Sequence, residues 1–252
     1  MYPILEFDPQ RKAVINPEDH FKPVEHAEHC VLTFFKDVLD KLNADGLFKV
    51  IHILKSEMGH VPLYEMEYRG TRVGVSLAGV GGPLAVGFFE EVIAYGYRKF
   101  IACGSAGVLD SQIPRNHVVI PTAALRDEGV SYHYLPPSRF VEGQKEPIQA
   151  MESVLQKRGI DYQKGMTWTT DAFYRETPQK VKKRKEEGCI TVEMETASFM
   201  AAAEFRGVAF GQLLYGGDDV SGELWDKRDW DRKDGSVRED LFWIAAEACI
   251  SL

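Results

Sequence analysis

Several features common in secreted, membrane-bound or nucleic-acid-binding chains are scarce in these 252 residues. There are four cysteines, Cys30, Cys103, Cys189 and Cys249, scattered and never paired as CxxC. That pattern excludes a disulfide framework and predicts reduced thiols in a cytoplasmic protein. No run of about 18 apolar residues is present, so no transmembrane helix is expected. The first residues, Met-Tyr-Pro-Ile-Leu-Glu-Phe-Asp, lack the basic and then apolar pattern of a secretory leader. Positive charge is also short: 30 Lys and Arg stand against 38 Asp and Glu, a formal net charge of −8. Nucleic acid and anionic membrane want excess Lys and Arg, so neither is an expected partner. His26, His29 and Cys30 lie close together but match no zinc spacing and lack an evident fourth ligand, so no metal is expected.

No internal repeat, low-complexity stretch or Pro/Ser linker divides the chain. With 44% hydrophobic and 27% charged residues, the composition is that of a globular protein. We read residues 1–252 as one domain, with residues 1–27 as a polar, proline-containing arm. Strands are predicted at Phe48–Leu54, Arg72–Leu77, Lys99–Cys103, Val118–Ile120 and Val208–Tyr215. Helices alternate with them. Pro83 opens one whose Leu84, Phe88 and Val92 share a face. Thr177 and Pro178 start another that ends by Gly188. Thr191–Phe205 reads as a third, and a capping box of Ser236 and Glu239 starts the last. The alternation predicts an α/β fold with a mixed sheet. Gly222–Gly235, with Trp225 and Trp230, reads as a flap.

Five short constellations could carry chemistry. Gly79-Val80-Gly81-Gly82-Pro83 follows a strand and opens a helix, where backbone N–H groups favour anions. Its spacing is not GxGxxG, which excludes a Rossmann dinucleotide site, and a tight turn is an equal reading. Ser105, within Ala102-Cys103-Gly104-Ser105-Ala106-Gly107, sits at the carboxyl end of a strand, where α/β ligands gather. It lacks the GxSxG elbow and is read as a hydroxyl donor. In Thr169–Arg175, Phe173 and Tyr174 offer an aromatic face to a planar base, or simply fill the core. Glu193 and Glu195 flank Met194. Their carboxylates could accept hydrogen bonds from vicinal diols, or merely decorate a helix start. Asp218 and Asp219 follow an apolar strand, where burial would make either a general acid, unless the pair is only a polar turn.

In order and spacing, AGVGGP, FIACGSAG, RDEGVSYHY, TTDAFY, VEMETASFMAAAEFRGV and GGDD together resemble the nucleoside phosphorylase I superfamily from about Arg72 onward. That family includes uridine phosphorylases, hexameric purine nucleoside phosphorylases and methylthioadenosine nucleosidases. The resemblance implies a single α/β domain with a barrel-like mixed sheet flanked by helices. It implies cleavage of a nucleoside N-glycosidic bond by phosphate, giving free base and (deoxy)ribose 1-phosphate, with no cofactor. It implies substrate contacts from Ser105, Gly107, Phe173, Glu193, Met194 and Glu195, with Glu195 on the ribose hydroxyls and Phe173 on the base. Ser105 and Gly81 would meet phosphate, and Asp218, or its neighbour Asp219, would protonate the leaving base. It also implies a homo-oligomer, a dimer or trimer of dimers, with Tyr132, Tyr134 and the arm as interface candidates.

The chain departs from the family in its anion chemistry. The GDPxR loop is absent, Cys30–Leu42 standing in its place, and the family arginine three residues before the hydroxyl is Ala102. Arginine is the best bidentate phosphate ligand, so this loss is costly unless Lys36, Lys55, Arg126 or Arg175 substitutes. Arg175 and Gln179 are offset from the pyrimidine-reading pair of uridine-cleaving members. Hydrolysis by water, and a nucleoside sensor without turnover, are therefore the alternative readings.

Overall fold

The computed structural model describes residues 2–25, 28–57, 59–229 and 235–252. Strand β1 (His29–Thr33) passes through helix α1 (Lys36–Ala44) into β2 (Lys49–Ser56), β3 (Gly59–Tyr68) and β4 (Thr71–Leu77). Helix α2 (Gly82–Ala94) then leads to β5 (Lys99–Val108), β6 (Val118–Asp127) and the short β7 (Phe140–Glu142). Next come α3 (Lys145–Lys157), β8 (Tyr162–Thr170), α4 (Pro178–Glu186) and β9 (Cys189–Glu193). The chain finishes with α5 (Thr196–Arg206), β10 (Ala209–Asp219) and α6 (Gly235–Ile250).

The sheet is mixed and closes on itself. Strands β5, β10, β6, β8 and β9 form a ring, because β10 pairs with both β5 and β6 while β9 returns to β5. Strands β1, β4, β3 and β2 extend this barrel-like ring as a wing. Within the wing β1 runs parallel to both β4 and β5, so Thr33 and Leu77 end level with Cys103 while the far half of β5 continues in the ring. The result is a single α/β domain with flanking helices, as expected.

Local sequence explains the elements that position the site. Gly81 precedes α2 at φ +86°, a conformation that L side chains avoid, and Pro83 sits in the first turn. The buried face of α2 presents Phe89 edge-on to Phe100, Phe199 and Phe210, at 4.7, 5.4 and 5.8 Å between centroids. Burying one such ring contributes about 1.5–3 kcal/mol over leaving it exposed. Thr177 caps α4 by accepting from the Lys180 N–H, and Gly207 ends α5 in the left-handed region. No helix among the described residues is long and apolar enough to cross a membrane.

One helix boundary differs from expectation. The predicted helix over Thr191–Phe205 is a strand followed by a helix: β9 ends at Glu193 and α5 begins at Thr196. The β-branched run Ile190-Thr191-Val192 suits a strand, and Val192 is held on both sides, opposite Trp168 and Gly107. The cap proposed at Ser236 borders residues 231–234, outside the described ones, and Glu239 is engaged by Lys41 Nζ at 2.6 Å. Sequence periodicity also passed over β3, which contains Pro62 and alternates with acidic residues. Residues 2–25 carry two short 3₁₀ turns, and Val24 N–H donates to Tyr95 O at 2.7 Å. Of the metal candidates, His26 lies outside the described residues. His29 and Cys30 are buried in β1, and no group of three His, Cys, Asp or Glu among the described residues could hold an ion. The four thiols are free and buried.

Candidate active site

The two motif glutamates sit where β9 turns into α5. Both oxygens of Glu193 are engaged. One accepts from the backbone N–H groups of Glu195 and Thr196, each at 2.6 Å, at the start of α5. The other accepts from Thr169 Oγ1 at 2.6 Å. Thr169 Oγ1 in turn accepts from Ala197 N–H at 2.9 Å, and Thr196 Oγ1 donates to Gln212 Oε1 at 3.0 Å. Glu193 thus ties β8, β9 and α5 into one corner. Glu195, 6% exposed, accepts from Gly81 N–H at 2.6 Å, which brings the glycine loop to the same corner.

Burial pushes both carboxyls up. For Glu195 the value reaches about 8, burial acting first and the charge of Glu193 second. Three short hydrogen bonds favour the anion on Glu193 and oppose the effect of its burial.

A cavity of about 630 Å³ opens beside this corner, at the ends of β5, β9 and β10. Gly107, Val192, Glu193 and Met194 form one part of its wall. Phe173, Tyr174, Glu176, Asp218, Val220 and Trp225 form the rest. Asp218 Oδ2 accepts from Trp225 Nε1 at 2.6 Å. No lysine, arginine or histidine lines the cavity among the described residues.

The structure therefore brings together Gly107, Phe173, Glu193, Met194 and Asp218. Glu195 and Gly81 are joined to each other and are not on the cavity wall. Ser105 is exposed on β5 and is not on the cavity wall. Asp219 is turned away: Arg228 binds its carboxylate at 2.7 Å, and its backbone bridges to Asp226. That bridge folds the start of the flap back onto β10, while Trp230 and residues 231–234 lie outside the described residues. Beyond β1, the Phe34 ring lies against Gly104, where a Cβ would meet it at 2.9 Å. Phe34 N–H donates to Cys103 O at 3.2 Å, which ties the Phe34 backbone to β5 at this point.

Two of the cations considered for an anion site are committed elsewhere. Lys36 pairs with Asp40 at 2.6 Å on the surface. Arg126 is buried, binding Ser131, Ser138 and the carbonyls of Leu135 and Pro136, with its guanidinium 4.2 Å from the Tyr132 ring centroid. Tyr132 returns a hydrogen bond to Arg126 O, and Tyr134 packs on Phe205. Glu128 is likewise internal, accepting from Val130 N–H, Ser131 and Ser198. Sequence reading missed Glu176, which follows the aromatic pair as one more charged residue in a polar stretch.

Residues 28–245 match the model of the phosphorylase superfamily. The chain belongs to that superfamily. Among curated phosphorylases, a guanosine phosphorylase of Halorubrum lacusprofundi is 25% identical over 146 residues, 58% of this chain and 61% of that one. A DeoD-type purine nucleoside phosphorylase of Bacillus cytotoxicus is 29% identical over 196 residues, 77% of each chain. A uridine phosphorylase of Thermococcus kodakarensis is 32% identical over 108 residues, 43% of this chain and 39% of that one. The solved uridine phosphorylase of Vibrio fischeri ES114 superposes with a TM-score of 0.74 at 19% identity, covering 93% of this chain and 94% of its own. That likeness is one of fold.

Proposed function

We propose that this phosphorylase-superfamily protein cleaves the N-glycosidic bond of a purine nucleoside, with phosphate as acceptor, releasing base and (deoxy)ribose 1-phosphate. The observation that carries the reading is the cavity with Glu193 and Met194 at one part of its wall, next in the chain to buried Glu195, and Phe173 and Asp218 at the other. A nucleoside has the matching polarity: hydroxyls at one end and a flat base at the other.

The sugar packs on Met194 and its hydroxyls donate to Glu195, while Glu193 fixes this turn by accepting from the Glu195 and Thr196 N–H groups. Phe173 and Tyr174 cover the base, and a cavity carboxyl near Asp218 meets its leaving nitrogen. Departure of the base leaves oxocarbenium character on the sugar, which buried carboxylates favour. Purine is preferred over pyrimidine because Arg175 and Gln179 are exposed and off the wall, whereas carboxyls are on it. Ser105, Gly81 and the start of α2 remain the acceptor side, in an oligomer and without a cofactor.

Phe34 favours a second reading, in which water replaces phosphate. Its ring covers Gly104, the residue before Ser105, and among the described residues the cavity wall carries no cation for an anion. A panel of inosine, guanosine, adenosine, methylthioadenosine and uridine tests both readings, with base release followed in the presence and absence of phosphate. Purine release that depends on phosphate is the expected result. Equal release without phosphate selects water, and nucleoside binding without release would leave a sensor.

A further inference from the structure

Glu176 is a wall residue with no assigned task. It follows the 3₁₀ turn Phe173–Arg175, its N–H donating to Phe173 O at 3.2 Å, and its side chain shares the cavity with Asp218. Asp218 is fixed from two sides. Trp225 Nε1 donates to its Oδ2, while Oδ1 approaches Gly107, where a Cβ would lie 3.6 Å away. The titratable groups on the wall beside Glu176 are Tyr174, Glu193 and Asp218, with no cation among the described residues there. Burial raises the Glu176 carboxyl to about 7, and the Asp218 charge adds to the rise. Two carboxyls in one cavity whose surroundings differ take different parts in acid–base work.

We propose that Glu176 is the proton-carrying member of a carboxyl pair with Asp218, and that it, rather than Asp218, protonates the departing purine. This inference rests on the nucleoside-cleaving reading above. As the bond from C1′ to N9 breaks, its electron pair passes to the base. The Glu176 proton moves to N7 of that base, leaving Glu176 as carboxylate. The acceptor forms the new bond to C1′ and gives up one proton, from hydrogen phosphate or from water. That proton returns through solvent to Glu176. Asp218, held by Trp225, supplies the negative charge that keeps the proton on Glu176 before cleavage.

The test compares Glu176→Gln and Asp218→Asn on two substrates. Inosine needs its leaving base protonated, whereas 4-nitrophenyl β-ribofuranoside does not. Glu176→Gln is expected to slow inosine cleavage by about 10²–10⁴-fold, the usual scale of general acid catalysis, and the nitrophenyl riboside by far less. The wild-type decline of kcat/KM on inosine above about pH 7 should vanish in Glu176→Gln. Wild-type inosine turnover in Glu176→Gln, with the selective loss and the pH limb following Asp218→Asn, would overturn the proposal. A wild-type protein that cleaves neither substrate would instead bring down the nucleoside-cleaving reading itself.

Discussion

Gly81 donates its backbone N–H to the Glu195 carboxylate at 2.6 Å, joining the loop after β4 to the turn before α5 across 114 residues of sequence. The contact uses two features at once. Only glycine readily holds φ +86° there, and only a side chain emerging before the first turn of α5 reaches back to it. Glu195→Gln keeps the shape and replaces one acceptor oxygen with a donor. Leaving a buried hydrogen-bonding group unsatisfied costs about 1–3 kcal/mol, so kcat/KM for a nucleoside should fall about 5–100-fold. Steady-state kinetics on the best substrate of the panel checks this. Unchanged kinetics would remove Glu195 from the site.

The raised carboxyl of Glu195 also sets a stability trend. Its folded value, about 8, exceeds the ordinary 4.5, so between those values the folded protein binds more protons than the unfolded chain. Stability therefore declines as pH rises from about 5 to 8, and the lost part is fully present only below the ordinary value. Glu176 adds a contribution of the same sign up to about pH 7. Thermal melting across this window should show Tm falling, with a shallower slope in Glu195→Gln. A Tm that rises through the window would contradict the buried-pair description.

Away from the cavity, Glu247 on α6 binds Arg158 at 2.5 Å and Arg69 at 2.6 Å, with Lys157 at 3.7 Å. It is 6% exposed and ties the β3–β4 turn and the end of α3 to the last helix. Glu247→Ala should lower unfolding stability by about 1.5–3 kcal/mol in urea melts, while nucleoside affinity stays as in wild type. A loss below about 0.5 kcal/mol would place this cluster with ordinary surface ion pairs.

Arg228 makes a second structural claim testable. It binds Asp219 Oδ2 at 2.7 Å and Ile113 O at 2.6 Å, pinning the flap that carries Trp225. Arg228→Ala should loosen that flap, quench or shift tryptophan emission, and raise KM severalfold with a smaller change in kcat. Unaltered emission and KM would separate the flap from the cavity.

Much of the corner was legible because its parts are short motifs at fixed order. Glu193, Met194, Phe173, Gly107 and Asp218 were all singled out from sequence, and all meet at one cavity. The helix expected over Thr191–Phe205 went astray because Ala and Met dominate its second half. The pairing of Val192 with Trp168 and Gly107 is a tertiary fact that local propensity does not carry. Glu176 stayed hidden for a similar reason. A glutamate in Arg-Glu-Thr-Pro looks solvated until the neighbouring turn and β10 are folded around it. The engagement of Asp219 with Arg228, nine residues on, was equally beyond reach of spacing alone.

The measurement closest to the central claim is a phosphorus NMR time course of the protein with inosine in phosphate buffer, read beside hypoxanthine absorbance. The account predicts that ribose 1-phosphate and hypoxanthine appear in equal amounts. No hypoxanthine, with phosphate present or absent, would contradict it.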